Sequence, residues 1–592
     1  MKKRNNVFDL NGLWKFMPDK DDRGGEKGYM LASCDTSFWR EAQIPCTFEG
    51  AAQECTGYRG TVWFRRTFSL YETQAALIWL EFAAVNYRAD VWINEQPVGS
   101  HVGGYLPFRF EISKYFKTGE NLLCVRVNNR IIPGMLPPSH FWRGHGGIIR
   151  GVSLYSTPAC YINTVKAVKT DTCLKMVTEV VNRAETAKTV RIRHTCPKNG
   201  LSAQTSVSVP PMSEAAAEAA FPLDAFELWE PESPAMYICK TVMTAENTAD
   251  AYDISFGVRD ICVKDGKILL NGKELRLRGF DRHEDSPAKM NAADIENSER
   301  DFRMMKQIGA NFVRFCHYPH SEEELDICDR LGLTVLAELP LNAPMVAIKE
   351  YNESETRRAL PQMFLNAKTA AKEMIERDFN HPSVIFWSVS NESNEGVPEI
   401  RLMNDALIRY IKQLDGSRLV THVTQGCWWY DKELVPSLFT YDDVICINAY
   451  ITTDHNSITG SGDITPEHDL HAAAFWDEKM AIFREKFPGK PVVVTEFGYP
   501  TGKLPDGIKD EEKQRDALLC DMRAMEKRLA GYAIWHFADH EWERAEDGTV
   551  FFGSNISPYG VFTRDRKPKK CVDAIFEYWK ENSAAAQTEN QN

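Results

Sequence analysis

The stretch "VIFWSVSNES", residues 384–393, begins as an apolar run and ends in a polar cluster. Bulky residues such as Phe386 and Trp387 suit a strand that is buried on both faces, as the strands of parallel sheets are. Asn391 and Glu392 follow directly and place an amide and a carboxylate at the end of the run. Because parallel sheets keep their chemistry at the carboxyl ends of their strands, the stretch predicts a parallel strand with functional groups at its tip.

Seven further short apolar runs have the same character. Most intervals between them have the length of a helix, and segments such as 293–309 and 399–415 carry apolar residues at helical spacing. Eight repeats of strand and helix predict a (β/α)8 barrel, the TIM barrel fold, at residues 258–582. The predicted strands are 275–281, 311–316, 334–339, 384–390, 418–423, 444–450, 492–497 and 532–537.

The chain before the barrel has the pattern of antiparallel sheets. Residues 1–157 contain short alternating runs such as "ADVWINEQPVG", broken by Gly, Pro and Asn, which predict an all-β sandwich. Residues 158–257 continue with shorter strands and predict a second, smaller sandwich. The last ten residues, 583–592, lack bulky apolar side chains and are predicted to form a disordered tail.

Composition excludes several classes of function. The chain has 592 residues, a formal net charge of -13 and a pI near 5.7. Such a chain lacks the clustered cations that displace counterions from phosphates, so we expect no nucleic acid partner. No apolar stretch has the length of a signal-peptide core or a membrane span, and we expect no membrane partner. The 15 cysteines include no C-x-x-C pair, which is typical of a reducing compartment and predicts a cytoplasmic protein.

Two glutamates stand out among the polar residues at the predicted strand tips. Glu392 follows the fourth strand and Glu496 lies near the end of the seventh, so the two carboxylates would face each other across a small barrel. Glycoside hydrolysis with retention needs one protonated and one ionised carboxyl group, about 5–5.5 Å apart. The alternative is that each glutamate is a structural ion-pair partner. The other polar tip residues are Asp281, His317, Glu338, Asn391, His422, Asn448, Tyr450 and His536.

Six motifs spread over nearly the whole chain carry a family resemblance. They are "LNGLWKF", "LLNGKELRLRGFDRHEDSP", "NFVRFCHYPH", "HPSVIFWSVSNES", "VVVTEFG" and "FTRDRKPK". With them the chain resembles family 2 glycoside hydrolases of the β-galactosidase and β-glucuronidase type. The resemblance implies a jelly-roll sugar-binding-like domain, an immunoglobulin-like β-sandwich and a catalytic barrel. It also implies an exo-acting retaining β-glycosidase with Glu392 as acid/base and Glu496 as nucleophile.

The resemblance further implies the residues that bind the substrate. Asn391 would bind the sugar 2-hydroxyl, a contact that strengthens in an oxocarbenium-like transition state. Arg314 would hold Glu496 ionised, because a nearby cation lowers the pKa of a carboxyl group. The remaining substrate-binding candidates are Asp281, His317, Tyr450, Trp535 as a stacking face, and Asn555.

Each supporting residue has a structural alternative. Arg314 can serve as an ion-pair partner inside the barrel, and His317 as a buried histidine with satisfied hydrogen bonds. Tyr450 and Trp535 can serve as core aromatic residues.

Sequence motifs give no support for a cofactor. Neither a G-x-G-x-x-G after a strand nor an H-E-x-x-H occurs, so we expect no nucleotide cofactor and no catalytic zinc. The run "RHED" at 282–285 predicts a network of ion pairs and hydrogen bonds, because four consecutive side chains cannot all converge on one ion. Some members of the family use magnesium or sodium, and no ligands for either ion can be placed. We expect a small-molecule or oligosaccharide β-glycoside as substrate and a homo-oligomeric assembly.

The choice of sugar rests on the segment before "FTRDRKPK". β-Glucuronidases of the family read the substrate carboxylate there with an Asn-x-Lys motif, whereas this chain has Asn555 followed by Ser557. Burying a sugar carboxylate without a cation is costly, so we predict a β-galactosidase that acts on terminal neutral glycosides. The alternative is a β-glucuronidase or other β-hexuronidase that uses another cation, such as Arg143. A second alternative is a non-catalytic carbohydrate-binding protein, against which the presence of both glutamates argues.

Overall fold

Two antiparallel β-sandwiches and a closed parallel barrel follow one another along the chain in the computed structural model. This arrangement confirms the predicted fold class. None of the helices in the part of the chain that the structure describes is long and apolar enough to cross a membrane. The structure describes residues 4, 7–71, 77–138, 144–246, 248–343, 353–425, 438–453, 464–504, 507–542 and 555–589.

The first sandwich contains two large sheets that pack their apolar faces together and a two-stranded sheet of β4 and β11. Its strands are β1 (Phe8–Asp9), β2 (Gly12–Asp19), β3 (Arg40–Ile44), β4 (Cys46–Thr47), β5 (Thr61–Leu70), β6 (Leu77–Phe82), β7 (Arg88–Ile93), β8 (Gln96–Val102), β9 (Phe108–Glu111), β10 (Gly119–Asn128), β11 (Gly147–Ile148) and β12 (Val152–Thr157), with a short helix α1 (Phe48–Ala51) after β4. The sheet orders are β3-β2-β5-β10-β7-β8 and β1-β12-β6-β9. Alternate side chains such as Trp14 and Phe16 point inward because successive residues of a strand face opposite sides.

A second sandwich follows with the same alternation. In its second strand every other residue from Leu174 to Asn182 is buried, which matches the predicted half-buried pattern. The sheets have the orders β13-β14-β17 and β16-β15-β18-β19. The strands are β13 (Cys160–Lys169), β14 (Cys173–Asn182), β15 (Lys188–Cys196), β16 (Leu201–Val209), β17 (Ser213–Pro222), β18 (Tyr237–Ala245) and β19 (Thr248–Phe256).

A three-stranded sheet, β20 (Ile261–Lys264), β21 (Lys267–Leu270) and β22 (Lys273–Glu274), leads into the barrel. Each barrel strand pairs in parallel with its neighbours, and all eight residues of the fourth are buried, as expected for strands covered on both faces. The barrel strands are β23 (Leu277–Arg282), β24 (Phe312–Phe315), β25 (Thr334–Glu338), β26 (Val384–Asn391), β27 (Leu419–Gln425), β28 (Ile445–Asn448), β29 (Val492–Phe497) and β32 (Gly531–Ile534).

Helices and two short hairpins surround the barrel. Helix α3 shows how local sequence sets the bounds: Ser321 caps its first turn, and Gly332 ends it at a φ of 70° that glycine adopts without strain. The helices are α2 (Ile295–Ile308), α3 (Glu322–Leu331), α4 (Glu353–Asp378), α5 (Pro398–Leu414), α6 (Pro466–Lys486), α7 (Glu511–Glu526) and α8 (Cys571–Glu589). The hairpins pair β30 (Gly502–Leu504) with β31 (Gly507–Lys509) and β33 (His540–Glu541) with β34 (Ile556–Ser557).

The structure differs from the sequence-based predictions at the end of the chain. Helix α8 continues to Glu589, so residues 583–589 are helical where a disordered tail is predicted. Three consecutive alanines, residues 584–586, explain the difference, because alanine has the highest intrinsic helix propensity and needs no apolar partner. Residues 590–592 lie outside the described part of the chain.

Candidate active site

Arg314 in β24 lies at the centre of the polar tips of the barrel strands. Its guanidinium has no exposed surface and faces three carboxyl groups. Nη1 lies 2.7 Å from Oε1 of Glu496 and 3.2 Å from Oδ1 of Asp281, and Nη2 lies 3.0 Å from Oε2 of Glu338. Nη2 also donates to Oδ1 of Asn391 at 2.7 Å. One cation cannot compensate three buried anions, so the cluster favours a proton on one of the carboxyl groups.

Two donors bind Glu496 on different oxygens. Arg314 binds Oε1, and the hydroxyl of Tyr450 donates to Oε2 at 2.8 Å. Nε2 of His317 lies 3.8 Å from Oε1. Charge-assisted bonds of this kind stabilise the ionised form and fix the orientation of the group.

Glu338 is the second ionised member of the cluster. Besides Arg314, Nδ1 of His317 lies 2.8 Å from Oε1 and the hydroxyl of Ser388 donates to Oε2 at 3.0 Å. Burial alone would raise the pKa of Glu338, but Arg314 and His317 more than offset it and hold that pKa below its usual range. Glu338 therefore orients both Arg314 and His317.

Asp281 is the member that takes the proton. It has no exposed surface, and burial together with the charge of Glu496 raises its pKa well above the usual range despite Arg314. Oδ1 accepts from the thiol of Cys316 at 3.1 Å, whereas Oδ2 has no hydrogen-bond partner among the described residues. A neutral carboxylic acid at this place leaves two carboxylates around Arg314.

Replacing Asp281 with Asn should therefore shift the midpoint of thermal unfolding little at pH 7, because the amide resembles the protonated acid in shape and charge. The sign of the pH dependence follows from the raised pKa. Above about pH 4 the unfolded chain releases the proton of Asp281, whereas the folded state keeps it. The free energy of unfolding therefore decreases as pH rises above that value. Asp281→Asn should lose less stability than the native chain between pH 5 and pH 8.

The control for this prediction is Asp281→Ala, which removes the acceptor of Cys316 and Arg314. We expect it to destabilise the chain by about 1–3 kcal/mol at pH 7. Thermal unfolding of the three proteins at both pH values tests the assignment. Equal losses in the Asn and Ala variants would show that Asp281 is ionised in the folded protein.

Glu392 shares the pocket with Asn391, although consecutive residues of a strand face opposite sides. The φ of Glu392 is +46°, a left-handed value that costs a non-glycine residue about 1–2 kcal/mol. This turn ends β26, and the amide of Glu392 donates to the carbonyl of Val423 at 2.8 Å. Nδ2 of Asn448 consequently reaches both side chains, at 3.1 Å to Asn391 and 2.8 Å to Glu392.

The two glutamates of the pocket lie in opposite electrostatic environments. Burial, and then the negative charge of Glu496, raises the pKa of Glu392 to about 8. Glu392 thus keeps its proton at neutral pH, whereas Glu496 accepts hydrogen bonds from the Arg314 guanidinium and the Tyr450 hydroxyl. A proton donor and an anionic nucleophile in one pocket are the groups that retaining glycoside hydrolysis uses.

Trp535 forms a wall of the pocket with several histidines. Its ring stacks on His317 at 5.4 Å between centroids and 18° between planes. His283 and His540 meet it edge-on at 5.6 and 5.8 Å. Burial lowers the pKa of His283 and His536 well below its usual range, and that of His540 to about 3. His283, His536 and His540 therefore add ring faces to the wall without adding a positive charge.

The first sandwich reaches this end of the barrel through His145. Its Nδ1 lies 3.1 Å from Glu49 of the sandwich, and its Nε2 lies 3.3 Å from Glu541, the residue after His540. Burial disfavours the imidazolium, but the two carboxylates outweigh it and raise the pKa of His145 to about 9. A charged histidine thus joins the sandwich to the hairpin beside the pocket wall.

The segment before "FTRDRKPK" differs from its predicted arrangement. Ser557 has no exposed surface and pairs with His540 across the β33–β34 hairpin, so its side chain does not face an open pocket. Asn555 is exposed and its carbonyl accepts from Trp542 at 2.8 Å. The ring of Tyr559 meets the ring of Tyr450 edge-on, at 6.0 Å between centroids. Tyr559 thus contacts the residue that donates a hydrogen bond to Glu496. Arg143 lies outside the described residues.

The "RHED" run forms the predicted ion-pair network and does not fit a metal ion. Glu284, His320 and Glu324 bring three ligand atoms within 4.8 Å of one another. Arg150 lies 2.7 Å from Glu284, however, and Arg282 lies 2.8 Å from Glu324. Guanidinium groups already compensate both carboxylates, which leaves no excess negative charge for a cation.

Most predicted site residues come together in this pocket. Hydrogen bonds link Arg314 directly to Asp281, Asn391, His317 and Glu496, through Glu496 to Tyr450, and through Asn391 and Asn448 to Glu392, and Trp535 stacks on His317. Asn555 makes no contact with them that the structure shows. His422 turns away, because it binds Asp442 at 2.8 Å and stacks on Phe439. Glu338 and Asn448 were recognisable as polar strand tips, but nothing in the sequence indicated their partners.

Family models match three successive segments of the chain. The sugar binding domain of glycosyl hydrolases family 2 matches residues 24–158, and the model described as glycosyl hydrolases family 2 matches residues 160–259. The TIM barrel domain of the same family matches residues 261–583, more than half of the chain.

Individual relatives are similar over nearly the whole chain. A β-glucuronidase of Sus scrofa is 29% identical over 640 residues, which cover 97% of this chain and 90% of the relative. A β-glucuronidase of Paenibacillus borealis is 27% identical over 97% of both chains. A solved GH2 β-galacturonidase from Eisenbergiella tayi bound to galacturonate has a TM-score of 0.83, with 25% identity and 98% of both chains covered. The β-glucuronidase of Ruminococcus gnavus has a TM-score of 0.81 at 26% identity, again over 98% of both chains.

Proposed function

This chain belongs to glycoside hydrolase family 2, and from that premise we propose that it is an exo-acting β-hexuronidase that cleaves terminal β-glucuronides or β-galacturonides with retention. The observation that carries the hydrolytic chemistry is the pair of glutamates in opposite environments. Glu392 holds a proton because its pKa is about 8, and Arg314 and Tyr450 bind the two oxygens of Glu496.

The proposed mechanism is a double displacement. Glu496 attacks the anomeric carbon while Glu392 gives its proton to the glycosidic oxygen, so the bond to the leaving alcohol breaks as the glycosyl ester forms. The ionised Glu392 then removes a proton from water, whose oxygen attacks the same carbon and releases Glu496. Asn391 is placed by Arg314 and Asn448 to bind the sugar 2-hydroxyl, and Trp535 offers a stacking face.

The sugar class rests on the relatives and on a corrected view of Ser557. The galactosidase prediction assumed that residue 557 faces the sugar, so that the missing lysine would exclude a carboxylate. Ser557 is fully buried in the β33–β34 pair, as Arg314 and Asp281 of the pocket are, so the missing lysine alone does not exclude a sugar carboxylate. The compared relatives and structures are named β-glucuronidases and β-galacturonidases, which supports the hexuronidase alternative over the galactosidase.

Turnover of a panel of 4-nitrophenyl β-glycosides tests this proposal. We expect kcat/KM for the glucuronide or the galacturonide to exceed that for the galactoside and the glucoside by at least about tenfold, because a charge-assisted contact is worth about 1.5–3 kcal/mol. A preference for the galactoside would refute the sugar class and leave the family unchanged. No turnover of any member would favour the carbohydrate-binding alternative.

Glu392→Gln should show a leaving-group signature. Methyl hexuronides need a proton on the leaving oxygen, and their kcat/KM should fall by about 10²–10⁴-fold. Nitrophenolate leaves unaided, so kcat/KM for 4-nitrophenyl hexuronides should fall far less. Glu395→Gln is the matched control, because Glu395 is a buried carboxyl group of the same segment that binds Ser393 and Thr424. Equal losses on both substrates would contradict the acid role of Glu392.

The pH profile of the native enzyme should report the same proton. With a methyl hexuronide, kcat/KM should fall on the alkaline side with an apparent pKa near 8, because Glu392 loses its proton as pH rises through that value. The alkaline limb should be absent in Glu392→Gln. Initial rates between pH 5 and pH 10 measure both profiles, and an unchanged alkaline limb in the variant would assign it to another group.

The homo-oligomeric assembly and the cytoplasmic location stay predictions.

A further inference from the structure

A cleft lies at the end of the barrel opposite the pocket of Glu392 and Glu496. It is lined by the start of β29, the segment before β32, the ends of α6 and α7, and the β20–β21 turn. Val492 at its edge is four residues before Glu496, which corresponds to about 13 Å along the strand. The cavity has a volume of about 480 Å³, within the range of about 300–1,000 Å³ that small-molecule sites have.

The floor of this cleft is apolar. Phe483 and Phe487, one turn apart on α6 and just beyond it, line it together with Met480, Leu275 and Ile268. These side chains have at most 8% of their surface exposed, so the floor is part of the packed protein. A flat apolar ligand would cover ring and methyl surface there.

The rim is cationic although the chain as a whole carries a net charge of -13. The lining includes two acidic residues, Asp265 and Glu274, and six basic ones, which are Lys267, Arg276, Arg484, Lys490, Lys527 and Arg528. An excess of cations around a concave apolar surface concentrates anions there.

Four of the six cations already have partners. Glu274 pairs with Lys267 at 2.6 Å and with Arg276 at 3.3 Å. Arg528 binds Asp477 at 2.7 Å, and the Lys490 ammonium donates to the carbonyl of Asp442 at 2.6 Å.

Arg484 and Lys527 differ from these four. Both are exposed and have no hydrogen-bond or ion-pair partner among the residues that the structure describes. The charge of Arg484 acts on Asp477, which Arg528 already binds, and both Arg484 and Lys527 can still contact a bound anion.

We propose that this cleft binds a small amphipathic organic anion, with an aromatic or polycyclic body on the floor of Phe483 and Phe487 and a sulfonate, carboxylate or phosphate group at Arg484 and Lys527. A neutral apolar ligand would leave the two free cations unused, and a simple inorganic anion would leave the floor exposed. The cleft and the catalytic pocket use different residues, so this proposal does not rest on the proposed function.

Binding of 8-anilinonaphthalene-1-sulfonate, followed by its fluorescence, tests the proposal. The full-length native protein should bind one molecule per chain, and the double variant Arg484→Glu/Lys527→Glu should weaken binding by at least about tenfold, because both favourable charges are reversed. N-phenyl-1-naphthylamine has the same rings without the sulfonate. It should bind the native protein more weakly and lose less than about twofold in the variant.

Lys20→Glu/Lys240→Glu is the matched control, because it makes the same change in net charge at exposed positions on the two sandwiches. Its affinity for the sulfonate should stay within about twofold of native. If both double variants lost the same affinity for the sulfonate, the effect would come from the net charge of the protein alone. That result would overturn the proposal. Unchanged binding in Arg484→Glu/Lys527→Glu, or competitive inhibition of glycoside turnover by the probe, would overturn it as well.

Discussion

Glu496→Ala is expected to lower kcat/KM for 4-nitrophenyl hexuronides by at least about 10⁴-fold, because the variant lacks the proposed nucleophile. Arg314 and Tyr450 hold the carboxylate by separate oxygens, so the nucleophile is fixed in the folded protein before a substrate binds. Removing it leaves a small space beside two retained donors. Azide or formate should enter that space and restore part of the activity by attacking the same carbon.

The configuration of the azide product separates the two glutamates. In Glu496→Ala a single displacement should give the α-glycosyl azide, with inverted configuration. In Glu392→Ala the glycosyl ester still forms from an activated substrate, so azide should give the β-glycosyl azide with retained configuration. Proton NMR of the products distinguishes these results. Near-native turnover by Glu496→Ala, or a β-azide from it, would remove Glu496 from the proposed role.

Arg314→Met should combine a large loss of activity with a large loss of stability. The guanidinium is the shared countercharge of Glu338 and Glu496 and also binds the neutral Asp281, and breaking a buried charge pair costs about 3–5 kcal/mol. Without Arg314 the pKa values of the carboxyl groups should rise in the folded state, which would then hold protons that the unfolded chain releases. The stability deficit should therefore grow between pH 5 and pH 8, as thermal unfolding at the two pH values would show.

Arg282→Met provides the control for that variant. Arg282 lies in the neighbouring strand, is equally buried, and pairs with Asp301 at 3.2 Å and Glu324 at 2.8 Å, away from the pocket. The Arg282→Met variant should lose about as much stability as Arg314→Met. At a temperature where both variants are folded, it should keep most of the native kcat. Normal turnover by folded Arg314→Met would show that the cation serves the fold alone.

The barrel could be predicted from the sequence because each of its strands is an apolar run ended by polar residues. The runs are apolar because each strand is buried on both faces. The residues that end them are polar because the strand tips share one pocket. The predicted strands differ from the observed ones by a few residues, as at 532–537 against Gly531–Ile534. The family resemblance is likewise confirmed by models that match most of the chain.

Other features depend on contacts that spacing does not encode. Glu338 and Asn448 are visible in the sequence as polar strand tips, but their partners Arg314 and Glu392 follow from the closure of the barrel. Ser557 could not be placed either, because a hairpin with His540 buries a position that counting residues puts in an open loop. The left-handed backbone of Glu392 has no sequence signature, since glutamate rarely adopts it.

The contact of His145 with Glu541 bears on how such a chain can be recombined. The imidazolium belongs to the first sandwich, while its two carboxylates lie on either side of the boundary with the barrel. A chimaera that receives its first sandwich from a relative without a histidine at this place would leave Glu541 without the imidazolium that binds it here. The unit that can be exchanged by recombination therefore includes both the sandwich loop and the barrel hairpin, and it does not coincide with the boundary between the two folds.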